Sequence, residues 1–345
     1  MIQSLRFFNQ RAVLALLAVA AQAMAVAQAQ PPQPAPPGEV VGVGNFAHIV
    51  NDMDVSLAFY RDVLGLEVGV STEFSANPAI QAMTNTPGAQ SRIATLNVPG
   101  LEMGIELIEY KDIERHKQTP RFVDPGAANI ALRLRDLNAV FPAIEQFPGV
   151  KVITAGGKPV TIETPNGTLH IVFIQDPDGF VVELIDGAAT PAGAPAGNVV
   201  AGAAFEPTVA NSEETIRFYN DLLGFNFKLG EAFNSNQEMA ATAGAPGASF
   251  RQSQSLIPGT SVTMTLIEFK DIERKMLSGR GQDPGTTVLQ LEVRDVTALT
   301  ARLAAAGVPI VSIGGKPVQV GPGLKIAIVR DPNNMQLELV ERAPQ

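Results

Sequence analysis

The chain repeats itself. Leu107–Arg115 reads LIEYKDIER and Leu266–Arg274 reads LIEFKDIER, identical at eight of nine positions and 159 residues apart. The same offset joins Asn45–Gly65 (NFAHIVNDMDVSLAFYRDVLG) to Ala204–Gly224 (AFEPTVANSEETIRFYNDLLG), and Asp124-Pro125-Gly126 to Asp283-Pro284-Gly285. Further on the offset shrinks: GGKPV at Gly156 returns 158 residues later at Gly314, and DPDG at Asp176 returns 155 later as DPNN at Asp331. Short deletions in surface loops produce such drift at little cost in stability. A chain duplicated at this length has to build two similar bodies, whatever each body is.

Inside each copy the pattern divides again. Phe46–Val50 is a β-type run, and Asp52 is placed to cap a helix by accepting from the free amides of its first turn. Val55, Ala58, Phe59 and Val63 share one face of that helix, and Gly65 stands where a positive φ ends it. Leu66–Val70, Arg92–Val98 and Met103–Tyr110 read as strands, with a loop or short helix across 71–90. A second round follows. Ala128–Leu134 is a strand, Asp136 caps a helix expected to be disturbed at Pro142, and strands follow at Lys151–Thr154, Val160–Thr164, Leu169–Ile174 and Phe180–Ile185. The expectation is an α+β protein of four βαβββ units, two per repeat, in domains at 39–188 and 198–342 joined by the small-residue linker 189–197.

Residues 1–29 read as a processing segment. Arg6 and Arg11 precede the apolar run Ala12–Ala21, and Ala25-Val26-Ala27 or Ala27-Gln28-Ala29 offers a cleavage site. The run is short for a span of about 20 residues, so a periplasmic or secreted product with no stable membrane span is expected. The Pro-rich stretch 30–38 reads as an extended linker. A net charge of −9 with no basic cluster argues against a nucleic-acid partner and leaves a small molecule as the expected one. The absence of cysteine removes disulfides, thiolate metal sites and thiol nucleophiles. Only three histidines remain: His48, His116 and His170.

The acid-capped helix carrying Phe59-Tyr60 then Leu64-Gly65, the β-rich tail, the second acid-capped helix and the closing Asp176–Glu183 turn and strand together resemble the vicinal oxygen chelate superfamily. That group contains glyoxalase I, extradiol dioxygenases, fosfomycin-modifying enzymes and bleomycin-binding proteins. The resemblance spans nearly all of the chain after the leader. It implies tandem glyoxalase-like domains whose curled mixed sheets form cups, with metal ligands on the first and last strands of each unit. Those ligands are usually histidine or glutamine with glutamate.

Carried over residue by residue, the first-strand ligand lies seven residues before the capping acid, at Asn45 and Asn129, and the last-strand ligands fall at Glu106 and Glu183. The second repeat offers Ala204, Thr265, Val288 and Glu338 at matching positions. No histidine stands at a ligand position, because His48, three residues past Asn45, points to the other face of its strand. His170 reads as satisfied beside the cup, and His116 as solvated. Asn45, Glu106, Asn129 and Glu183 would form an all-oxygen set, suited to weakly bound Mg²⁺, Ca²⁺ or Mn²⁺ and poorly to Fe²⁺ or Zn²⁺.

Two readings stand open from the sequence. In one, Glu106 and Glu183 do acid–base work on a small organic molecule that Asn45, Asn129 and an inward Arg92 orient. In the other, the cups bind or sequester a ligand without chemistry, as in the bleomycin-resistance type. The pairing of units is open as well. One with two and three with four keeps the four polar residues together. One with four and two with three splits them and sets Glu106 against Glu338.

Overall fold

The computed structural model describes residues 39–164, 167–187 and 196–343. The expected leader and its Pro-rich linker lie outside the described residues, as does most of the linker at 189–197.

Unit one runs through β1 (Val40–Ile49), α1 (Met53–Leu57) continuing into a π turn (Ala58–Val63), β2 (Glu67–Ser71), α2 (Pro78–Thr84), β3 (Gln90–Asn97) and β4 (Gly104–Lys111). Unit two has β5 (Ala128–Leu134), α3 (Leu137–Glu145), β6 (Lys151–Val152), β7 (Val160–Thr164), β8 (Gly167–Gln175) and β9 (Val181–Asp186). Unit three has β10 (Val200–Val209), α4 (Ser212–Arg217) with its π turn (Phe218–Leu222), α5 (Gln237–Thr242), β11 (Ser249–Leu256) and β12 (Thr263–Lys270). Unit four has β13 (Thr287–Val293), α6 (Val296–Ala305), β14 (Val318–Gly321), β15 (Leu324–Arg330) and β16 (Gln336–Arg342).

The local signals act as their chemistry dictates. The Asp52 carboxylate accepts from the amides of Asp54 and Val55, and Asp136, Asn211 and Asp295 cap the three equivalent helices. Gly65 ends the first helix at φ +70°. Pro142 does not break α3, which continues to Glu145; a proline in a short helix forfeits one backbone bond, and Leu137, Phe141 and Ile144 keep the helix anchored by burial.

Two eight-stranded sheets result. The first runs β14-β15-β16-β13-β1-β4-β3-β2, and the second β11-β12-β10-β5-β9-β8-β6 with β7 beside β8. Units one and four therefore share the first cup, and units two and three the second. Neither cup belongs to a single repeat. The joins are antiparallel pairs at the cup centres, β1 with β13 (Phe46 opposite Leu289) and β10 with β5 (Phe205 opposite Ile130).

The backs of the sheets and the helices form one core, in which the rings of Phe46 and Phe205 stand 4.9 Å apart. The repeated LIE(Y/F)KDIER segments end in turns that cross-link the halves. Arg121 holds Asp124, which accepts from the Lys275 amide; Arg280 holds Asp283, which accepts from the His116 amide. The concave faces carry their own clusters: Phe122, Phe173, Phe250 and Phe269 in the second cup, and Met83 with Ile326, Ile328 and Val340 in the first.

Candidate functional site

The exchanged pairing redistributes the residues that the sequence brought forward. Asn45 and Glu106 lie in the first cup, and Asn129 and Glu183 in the second. The four never meet, so neither a shared metal site nor a Glu106–Glu183 acid–base pair exists. The similar capping signals of all four units match either pairing, and only the sheet register decides between them.

In the first cup, the Asn45 amide nitrogen donates to Glu106 Oε2 at 3.1 Å, and the Gln290 amide donates to Glu106 Oε1 at 3.3 Å. Gln290 Oε1 in turn accepts from the Asn45 backbone at 2.9 Å. Glu338 stands beside Gln290 on the neighbouring strand β16. Burial raises Glu106, against the pull of the two amides. Burial, then repulsion from Glu106, pushes Glu338 up to about 8. The group across from Glu106 is thus Gln290 and not Val288. Both lie on one face of β13, two residues apart.

The second cup has the same plan with different groups. Asn129, fully buried, donates to Glu206 Oε2 at 2.7 Å and accepts the Glu183 backbone amide at 2.9 Å. Glu183 and Glu206 hydrogen-bond to each other, and Arg133 lies near enough for its charge to act on both. Burial lifts Glu183 to about 7, opposed by its hydrogen bonds to Glu206 and Asn129 and by Arg133. Glu206 is raised well above the carboxylate range, by burial first and then by the Glu183 charge. Two carboxyls in contact in a poorly solvated floor share one proton.

These acids open onto a cavity of about 110 Å³. Arg133, Glu183 and Glu206 form its floor; Phe122, Phe173, Phe250 and Phe269 form much of its wall; Met239, Thr242 and Ala243 of the α5 segment close it above. Thr154 ties that segment down from unit two, donating its hydroxyl to the Thr242 carbonyl at 2.8 Å. Glu206 and Arg133 escape the ligand count made from the sequence. Glu206 lies five residues before its cap Asn211, as Gln290 lies five before Asp295, on the strand face that the seven-residue count also marks.

The other expected groups lie elsewhere. Arg92 forms an ion pair with Glu109 at 2.8 Å and covers the Phe74 ring, 4.9 Å from its centroid. Glu109 is an odd number of residues from Glu106, so this pair occupies the opposite face of the sheet and binds nothing in the cup. His48 is buried on the core side between Phe46 and Phe180, and burial lowers it to about 3. His170 meets Asp186 at 2.6 Å, and His116 is exposed beside Glu114.

The superfamily resemblance implies a metal, and the two cups differ in how they suit one. Glu106, Glu338 and the amide oxygens of Asn45 and Gln290 make a hard donor set, after both amides turn over from their carboxylate partners. In the second cup the Arg133 guanidinium already supplies the positive charge beside the acids, which opposes a cation there. Among the described residues no group of three or more His, Cys, Asp or Glu side chains converges as a metal cluster.

Comparison with known proteins gives a consistent picture. The family model described as Glyoxalase/Bleomycin resistance protein/Dioxygenase superfamily matches residues 42–184 and again 205–339. A 2-epi-5-epi-valiolone epimerase from an Actinomyces species is 31% identical over 162 residues, 46% of this chain and 84% of that protein. A probable lactoylglutathione lyase from Vibrio parahaemolyticus is 30% identical over 146 residues, 42% of this chain and 89% of that one. Among solved structures, glyoxalase I from Zea mays superposes with a TM-score of 0.57 at 17% identity, covering 87% of this chain and 92% of that one. A putative dioxygenase from Bacillus subtilis gives 0.54 at 16% identity, covering 89% and 87%. At such identities the structural likeness speaks for the fold alone.

Proposed function

We propose that this chain, which belongs to the glyoxalase/bleomycin resistance protein/dioxygenase superfamily, moves a proton on a small organic molecule held in the second cup. The observation that carries this reading is the hydrogen-bonded pair Glu183–Glu206 on the floor of an apolar cavity. The two acids are not equivalent. The Asn129 nitrogen reaches both, but the Glu183 charge raises Glu206 while the contact with Glu206 lowers Glu183. The shared proton therefore rests on Glu206. Glu206 is the acid, and Glu183, at about 7, is a base matched to neutral solution.

On a carbonyl compound the balance is simple. Glu183 takes a proton from the carbon next to the carbonyl, the C–H electron pair becomes the C=C bond of an enol, and Glu206 protonates the carbonyl oxygen near Arg133. Return of a proton to carbon completes an isomerisation or inverts the centre. One relative is by name an epimerase, and inversion beside a carbonyl is a reaction of this kind. The pair Glu183–Glu206 replaces the pair Glu106–Glu183 expected from the sequence. A divalent cation held by Glu106, Glu338, Asn45 and Gln290 would supply Lewis-acid polarisation in the first cup. Export rests on Arg6, Arg11 and the apolar run that follows; N-terminal sequencing of secreted material tests it.

The test is solvent exchange. The protein is incubated in D2O with a panel of cyclic and open-chain ketones, with and without hydroxyls, and loss of the proton beside the carbonyl is followed by NMR. Exchange with at least one probe, slowed by about 10²-fold or more in Glu206→Gln, is expected. Probes that bind without exchanging would overturn the reading and leave a binding protein of the bleomycin-resistance type.

A further inference from the structure

The floor and walls of the second cup restrict what enters it more than the reaction does. Glu183 and Glu206 lie in contact on the floor of the cavity, with the Arg133 guanidinium beside both, so the floor already holds charges of both signs paired with each other. The remaining polar side chains on the polar side, Gln252, Gln254 and Thr242, are neutral. A ligand carrying its own carboxylate, phosphate or ammonium would therefore bring an unbalanced charge into a poorly solvated site.

The wall adds a second restriction. Phe122 lies against Phe173 and Phe269 at 5.4 Å between ring centroids, and Phe250 lies 6.1 Å from Phe269. Ile171 and Ile267 continue this surface. Such a wall gives ring faces a partner but offers nothing to hydroxyl groups, which would lose their water without replacement. At about 110 Å³ the cavity is of the order of the roughly 150 Å³ apolar cavity known to hold benzene. It takes one ring, with substituents directed to the open side.

Resting on the second cup as the reacting site, we infer that its substrate is an uncharged monocyclic ketone with few or no hydroxyls on its ring. The ring lies against the four phenylalanines, and the carbonyl points to Arg133 and Glu206. This separates the chain from a polyhydroxylated substrate even though the proton chemistry is the same.

Calorimetric titration of the whole protein at pH 7 tests the inference without turnover, using 2-methylcyclohexanone, benzoate, benzylamine and myo-inositol. The ketone is expected to bind about tenfold or more tightly than either charged ring, with no measurable heat from inositol. Benzoate or benzylamine within about threefold of the ketone, or inositol binding as well as the ketone, would overturn it. Two variants move the charge balance in opposite directions. Arg133→Gln leaves the floor negative and should raise benzylamine affinity about tenfold, and the double variant Glu183→Gln, Glu206→Gln leaves it positive and should do the same for benzoate. If one variant does not fold, by circular dichroism, the other carries the test. An unchanged ranking in a folded variant overturns the inference. Ketone binding without deuterium exchange would overturn the proton-transfer reading and leave this inference standing.

Discussion

The two cups use one architecture and treat their acids differently. In the first, α2 brings Met83 onto Ile326, Ile328 and Val340, and the acids Glu106 and Glu338 are enclosed with the amides of Asn45 and Gln290. In the second, the α5 residue matching Met83 is Thr242, and Ala243 matches Thr84. The smaller side chains leave a cavity above Glu183 and Glu206. In the second cup the mostly buried Arg133 acts on both acids, whereas in the first the exposed Arg342, paired with Glu292, reaches only Glu338. The open cup thus differs from the filled one in the side chains that its covering segment presents and in how deeply its guanidinium is buried. The order of the central strands is alike in both.

The largest contrast should come from the acids. Glu206→Gln is expected to slow deuterium exchange by 10²- to 10⁴-fold, whereas Glu338→Gln leaves it within about twofold. NMR rates on both variants with the same ketone decide this, and equal losses would erase the distinction between the cups. Next in size is the covering helix. Met83→Ala should cost about 2–4 kcal/mol in denaturant unfolding because it hollows a buried cluster. Thr242→Met should leave stability within about 1 kcal/mol while abolishing ligand heat.

Protons give a smaller effect. Glu183 and Asp176 sit at about 7, Asp331 at about 6 and Glu338 at about 8, all above their unfolded values. The fold therefore binds protons that the unfolded chain releases between about pH 4 and these values; His48, lowered to about 3, opposes this below about pH 6.5, but four carboxyls outweigh one imidazole and stability falls as pH rises through that window. A melting temperature higher at pH 5 than at pH 8 by on the order of 5 °C is expected, and Glu338→Gln should reduce the difference. Smallest is the response to metal. Millimolar Mn²⁺ or Mg²⁺ should raise melting by about 1–3 °C in the wild type and not in Glu338→Gln. A shift that survives Glu338→Gln and vanishes in Glu183→Gln would move the cation to the other cup.

Much of the fold was legible because its signals are local. Asp52, Asp136 and Asp295 announce helices through one carboxylate and one or two amides, and Gly65 ends one through its φ alone. The pairing of units was not legible, because it depends on contacts between distant strands. Gly42 and Gly44 make room for Glu292 and Gln290 crossing from β13, where an added Cβ would come within 2.8 Å and 2.7 Å of those side chains. In β10 the matching residues are Ala201 and Ala203, which read as ordinary strand residues until the partner strand is known. The site suffered in the same way. A fixed count back from the cap reaches Asn129 but not Glu206, because it selects one residue on a strand face that holds two.

The strand exchange also sets an order of assembly. Asn129 and Glu206 are separated by 77 residues, while Asn45 and Gln290 are separated by 245. The difference in closure entropy is only about 1 kcal/mol, so the N-to-C order in which the chain emerges has more influence than chain statistics. Once Lys270 has emerged, from the ribosome or on the far side of a membrane, every strand of the second cup is present. At that moment β1 still lacks β13, and its open edge must wait for the last quarter of the chain. A protein delayed at that stage would carry a finished pocket beside half a sheet.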